Sequence, residues 1–101
     1  MNNAELEIVR FCSRVVAKLS PFPDLRKNEK INQCIFLSGR VIGEIVEIEL
    51  EGLDRDSRLE RILSNLKELK KSLDECNELV DMSLMQYDPD VTLDDLIKAL
   101  R

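Results

Sequence analysis

Two acidic pairs at i, i+3 spacing, Glu44-x-x-Glu47 and Glu78-x-x-Asp81, are the residues of this chain best suited to chemistry. Carboxylate oxygens in such pairs suit a hard divalent cation such as magnesium, which neutralises developing charge on phosphoryl oxygens. A second set is cationic. Arg10, Arg14 and Lys18 recur every four residues, and Arg26, Lys27 and Lys30 follow. Six cations along one edge would contact phosphates without reading base sequence. A third set is Cys12, Cys34 and Cys76, which form no CxxC pair. Each falls on an apolar helix face, where a free cysteine behaves as a small hydrophobe.

Other chemistry is excluded by composition. The chain has no histidine, hence neither the commonest general base nor the commonest zinc ligand. Its three glycines make no phosphate-cradling loop, and no serine sits in a nucleophile elbow. No catalytic residue, metal site or cofactor is therefore expected. A net charge of −5 restricts any nucleic-acid contact to the basic edge. No interleaved aromatic offers base stacking there, Asp24 and Glu29 dilute the charge, and a solvated helix face accounts for the same residues.

Positioning these groups falls to helices. Leu59, Ile62, Leu66, Leu69, Leu73, Cys76 and Val80 alternate steps of three and four. That repeat marks one buried seam along a helix of roughly Asp56 to Met85, free of Gly and Pro. It opens on Ser57-Arg58-Leu59-Glu60, a capping-box pattern, and Asp88-Pro89-Asp90 ends it. Upstream, a first helix spans Asn3 to Leu19, with Ile8, Val9, Cys12, Val15, Val16 and Leu19 as its apolar side. Ser20-Pro21-Phe22-Pro23-Asp24 breaks it. The second helix begins between Asp24 and Asn28 and runs to Glu51, with Gly52 as its cap. A short fourth helix starts at Thr92, with Val91 and Leu96 placed as a staple and Leu93, Leu96, Ile97 and Leu100 as its stripe.

The chain of 101 residues is thus expected to form one all-α domain over 1–101. Its architecture is an antiparallel up-and-down bundle of three long helices (core 3–86) and a short C-terminal helix (92–101). No run is apolar enough to span a membrane, and the odd cysteine count without a signal peptide points to the cytoplasm.

The second helix carries two apolar seams roughly 120° apart. One is Ile31, Cys34, Ile35, Ser38, Val41, Ile42 and Ile45; the other is Phe36, Gly39, Gly43, Val46 and Leu50. Either the helix is central within the monomer, or the second seam is an interface between copies. A small domain with a modest core favours the interface, and a mid-helix glycine costs about 1 kcal/mol against alanine that some contact should offset.

Helical geometry also tests the acidic pairs, which resemble the paired-carboxylate motifs of all-α nucleotide pyrophosphohydrolases. Glu78 and Asp81 project roughly 120–180° from the centre of the third helix's seam. Glu47 points away from the main seam of the second helix and Glu44 lies at its flank. The four carboxylates do not converge, so this magnesium-dependent activity is the alternative reading. Otherwise they are charge on a wet surface, with Arg40 and Glu44 as a local helix pair.

The order of features resembles the four-helix-bundle proteins encoded in ribosomal RNA intervening sequences. Their relatives include the accessory variability determinants of diversity-generating retroelements. Lys18-Leu19-Ser20-Pro21-Phe22-Pro23, Ile48-Glu49-Leu50-Glu51-Gly52, and Leu59-Glu60-Arg61-Ile62-Leu63 through Leu66-Lys67-Glu68-Leu69 carry the resemblance, which covers roughly Leu6 to Met82. It implies a pentameric ring of bundles without catalysis and, in the retroelement branch, binding to a reverse transcriptase and to RNA or DNA. This chain departs in charge, because the nucleic-acid-binding members are basic. The functional expectation is a non-enzymatic, oligomeric accessory or scaffold protein assisting a nucleoprotein complex; a module that binds protein alone is a further alternative.

Overall fold

The computed structural model describes residues 1–79 and 91–101. The described residues form five helices: α1 (Asn3–Leu19), α2 (Pro23–Arg26), α3 (Glu29–Glu51), α4 (Arg55–Glu75) and α5 (Leu93–Leu100). Three are long, α5 is short, and α2 is a single turn within the proline-broken connection. The result is the all-α antiparallel bundle that the periodicity predicts.

The starts of α1, α3, α4 and α5 are each set by a polar side chain capping free backbone amides. Asn2 accepts from the amide of Glu5, Asn28 from those of Lys30 and Ile31, and Thr92 from that of Asp95. Asp95 returns the bond to the Thr92 amide, closing a capping box. The Thr92 amide, helped by the Thr92 hydroxyl, holds the Asp95 carboxyl below the usual carboxylate range. At the other end of α3, Gly52 takes φ 65°, the left-handed conformation that lets the chain reverse tightly.

The third long helix differs from expectation at both ends. Its cap is Asp54, which accepts from the Asp56 amide, so α4 begins at Arg55. Ser57 instead donates its hydroxyl to the Asp54 carbonyl at 2.9 Å. At the far end α4 stops at Glu75, because the Cys76 amide turns back to the carbonyls of Leu73 and Asp74. The seam positions Leu66, Leu69 and Leu73 are buried as expected, and Cys76 is buried just beyond the helix. Val80, Met85 and Asp88-Pro89-Asp90 lie outside the described residues.

α3 packs against both α1 and α4, while α5 packs on α1 and α4. The core is aliphatic: Ile8, Val15, Leu19, Ile31, Val41, Ile45, Leu66, Leu69 and Leu73 are fully enclosed. Its position rotates the α3 seam slightly. Leu37, Glu44 and Ile48 join the buried side, whereas Ile35 and Ile42 are half-buried at its margin. In α1, Phe11 and Glu5 are buried, and Val9 and Val16 sit at the edge. Leu93, Leu96 and Ile97 bury the inner stripe of α5, and Leu100 packs at its margin.

Candidate functional site

The first acidic pair, Glu44 and Glu47, is part of the scaffold. Glu44 is 8% exposed, and its carboxylate lies 3.3 Å from Arg61 Nη1 and 3.5 Å from Arg58 Nη1. Arg58 Nη1 also lies 3.1 Å from Glu47 Oε2. Two guanidiniums from α4 thus hold two carboxylates of α3. This corrects the expected Arg40–Glu44 pair: Arg40 instead sits 5.6 Å above the ring of Phe36. The reason is distance along the chain. A helix wheel displays partners three or four positions away, whereas Arg58 and Arg61 come from the neighbouring helix. A carboxylate flanked by two cations is a poor ligand for a third, and Glu78 sits exposed in the turn after α4, away from this cluster. Asp81 lies outside the described residues. Among the described residues no three His, Cys, Asp or Glu side chains converge to hold a metal ion.

A second cluster went unread in the sequence. Glu5, 1% exposed on α1, has Oε1 3.0 Å from Arg55 Nε. Arg55 also reaches Glu49 Oε1 at 3.2 Å, and the amino group of Met1 pairs with Glu49. That ammonium group, with Arg55, holds the Glu49 carboxyl below the usual range. Arg55 therefore ties the start of α4 to α1 and to the end of α3. Nothing in local spacing announces this, since Glu5 and Arg55 lie fifty residues apart.

The cysteines all sit in the core as free thiols. Desolvation pushes the Cys12 thiol up to about 12, against a smaller opposing effect of the Ser38 hydroxyl. Burial also pushes Cys34 up to about 12, and it raises the thiol of Cys76, which lies beside Cys34. Thiols held protonated at neutral pH are poor nucleophiles and poor metal ligands.

The basic edge is largely engaged. Arg10 Nη1 bonds Glu7 at 2.9 Å, Lys30 Nζ meets Glu75 at 2.9 Å, and Lys27 lies 3.8 Å from Asp24. The Glu75 partner raises the Lys30 pKa, and Lys30 lowers that of Glu75. Arg14 is half-buried, Lys18 is exposed, and Arg26 belongs to the α2 turn. The six cations are dispersed over three helices and the loop between two of them.

The outward stripe of α3 is the feature that stays open. Phe36 is 61% exposed and Leu50 81% exposed. Gly39 is exposed and Gly43 and Val46 are half-buried between them. A Cβ added at either glycine would meet no atom of the described residues within 4 Å, so packing among those residues does not require either glycine. α5 covers α1 and α4 instead of this stripe. A cavity of about 260 Å³ lies elsewhere, between Phe11, Lys70, Leu73, Asp74 and the start of α5.

No helix among the described residues is long and apolar enough to cross a membrane. No protein-family model, no curated protein and no solved structure matches this chain.

Proposed function

We propose that this protein is a non-enzymatic scaffold that assembles through the outward face of α3. The observation that carries this is the alignment of Phe36 and Leu50, 61% and 81% exposed, on the face opposite the core. Single exposed hydrophobes are ordinary, whereas two large ones on one helix face, bracketing a half-buried valine and two glycines, form a docking stripe. Of the groups suited to catalysis, Glu44 is held by Arg58 and Arg61, and the thiols are closed off by burial. Three free thiols suit a reducing compartment such as the cytoplasm. A role in a nucleoprotein complex, with a reverse transcriptase or nucleic acid as partner, is the finer proposal; it depends on the exposed cations Lys18 and Lys27.

Light scattering over a concentration series tests assembly. The expected mass exceeds one chain and falls to one chain in a Phe36→Asp, Leu50→Asp variant that keeps its helical circular dichroism. A concentration-independent monomer would overturn the proposal. A parallel incubation with nucleoside triphosphates and magnesium should release no pyrophosphate; release abolished by Glu44→Gln would establish the enzymatic alternative.

A further inference from the structure

We infer that the occupant of the α3 face is a second copy of this chain, laid antiparallel across a two-fold axis at Gly43; this rests on the face being an assembly surface. The charges that border the stripe select this arrangement. At 100° per residue, Arg40 and Glu47 lie on one flank of the stripe, roughly 60–80° from its centre. The other flank, at a similar angle, is Ile35 and Ile42. Arg40 is fixed at the border by its position 5.6 Å over the Phe36 ring. Glu47, although 3.1 Å from Arg58, keeps its side chain 54% exposed and has room for a second guanidinium.

In an antiparallel pair of helices, like flanks face each other. With Gly43 on the two-fold axis, Phe36 of one copy meets Leu50 of the other. Arg40 then falls opposite Val46 and beside Glu47, and symmetry makes that ion pair twice. The two apolar flanks meet around Ile42. A parallel pair would set Arg40 and Glu47 against the isoleucine flank and leave both charges unmatched. The open space around the Cβ positions of Gly39 and Gly43 permits close approach at the crossing, where interaxial distance depends on the side chains in contact. From Phe36 to Leu50 the stripe is about 21 Å long. One helix face of that length falls short of the roughly 800 Å² per partner of a standard interface, so the dimer should dissociate in the micromolar range.

The test is Gly43→Cys treated with oxidised glutathione at about 100 µM chain, a concentration set by that affinity. A residue on the axis is linked to itself, so a disulfide dimer is expected on a non-reducing gel. It should be absent from the wild type, whose thiols are buried, and from Ser13→Cys on the exposed side of α1. Arg40→Glu and Glu47→Arg should each weaken the dimer about tenfold by light scattering, and the double variant should restore it. An oligomer with neither the Gly43 crosslink nor the charge-swap rescue, or one of five chains, overturns the two-fold arrangement and leaves the assembly face standing. A wild-type monomer at all concentrations overturns both.

Discussion

The two faces of α3 are built from the same kinds of residue and meet opposite fates. Inward, Ile31, Cys34, Val41 and Ile45 are fully enclosed, and the polar Ser38 and Glu44 go in with them. Outward, Phe36 and Leu50 stay in solvent. A glutamate is thus 8% exposed on the helix that leaves a leucine 81% exposed. Hydrophobicity alone does not decide burial. Neighbours do: α1 and α4 close over one side and supply Arg58 and Arg61 for the carboxylate, while no helix among the described residues covers the other. The outward stripe is therefore the part of α3 whose residues the monomer leaves unexplained.

The contrast breaks most directly by truncation. Ile45→Ala on the inward face, or Leu69→Ala opposite it on α4, should cost about 2–5 kcal/mol in a urea melt through lost burial and a residual cavity. Leu50→Ala should cost less than about 0.5 kcal/mol at concentrations where the chain is monomeric. Similar losses at Ile45 and Leu50 would erase the distinction.

Alkali sharpens it next. Cys34 faces inward, and its thiol and that of Cys12 are pushed from 9.0 up to about 12. The folded state then holds protons that the unfolded state releases. Their contribution to stability is complete below pH 9 and is lost as pH rises toward 12. Each thiol steepens that decline by at most about 1.4 kcal/mol per pH unit. Urea midpoints between pH 8 and 10.5 should fall less steeply in Cys34→Ala than in the wild type; parallel slopes would place Cys34 outside the inward face.

A smaller effect is expected at Gly39, where added bulk has open space around it. Gly39→Ala should stabilise the monomer by roughly 0.5–1 kcal/mol, because it limits the unfolded chain more than the helix. A destabilised monomer would mean that the outward face is packed after all. Smallest is the basic edge. Replacing the exposed Lys18 and Lys27 by glutamine should lower the log–log salt slope of any RNA or DNA retardation by no more than about 2. An unchanged slope in a gel-shift titration would leave those lysines as solvated charge.

How far these faces were legible follows from what acts locally. The boundaries of α1, the left-handed cap at Gly52 and the Thr92 start were readable, because each depends on residues within one turn. Asp54 took the cap from Ser57 because a carboxylate two residues before the Asp56 amide completes an earlier turn. The three-four rhythm continued through Cys76, but apolar spacing does not record where backbone hydrogen bonding turns back. At the candidate site, the outward stripe was legible as a second seam, but spacing alone left it between burial inside the monomer and an open face, the reading that small domain size favours. Burial of Glu5 and Glu44 was illegible, because Arg55, Arg58 and Arg61 reach them from another helix.

The tight reversal at Gly52 also bears on the order in which the bundle comes together. Helix α3 ends at Glu51 and α4 begins at Arg55, so pairing them closes a very short loop. Contacts of such low sequence separation carry little chain-closure entropy and form early. The packing of α5 on α1 joins opposite ends of the chain and carries the largest closure cost. The α3–α4 hairpin is thus the natural folding nucleus. The eight residues of α5 are the piece most easily released, and their amides should exchange with solvent ahead of global unfolding.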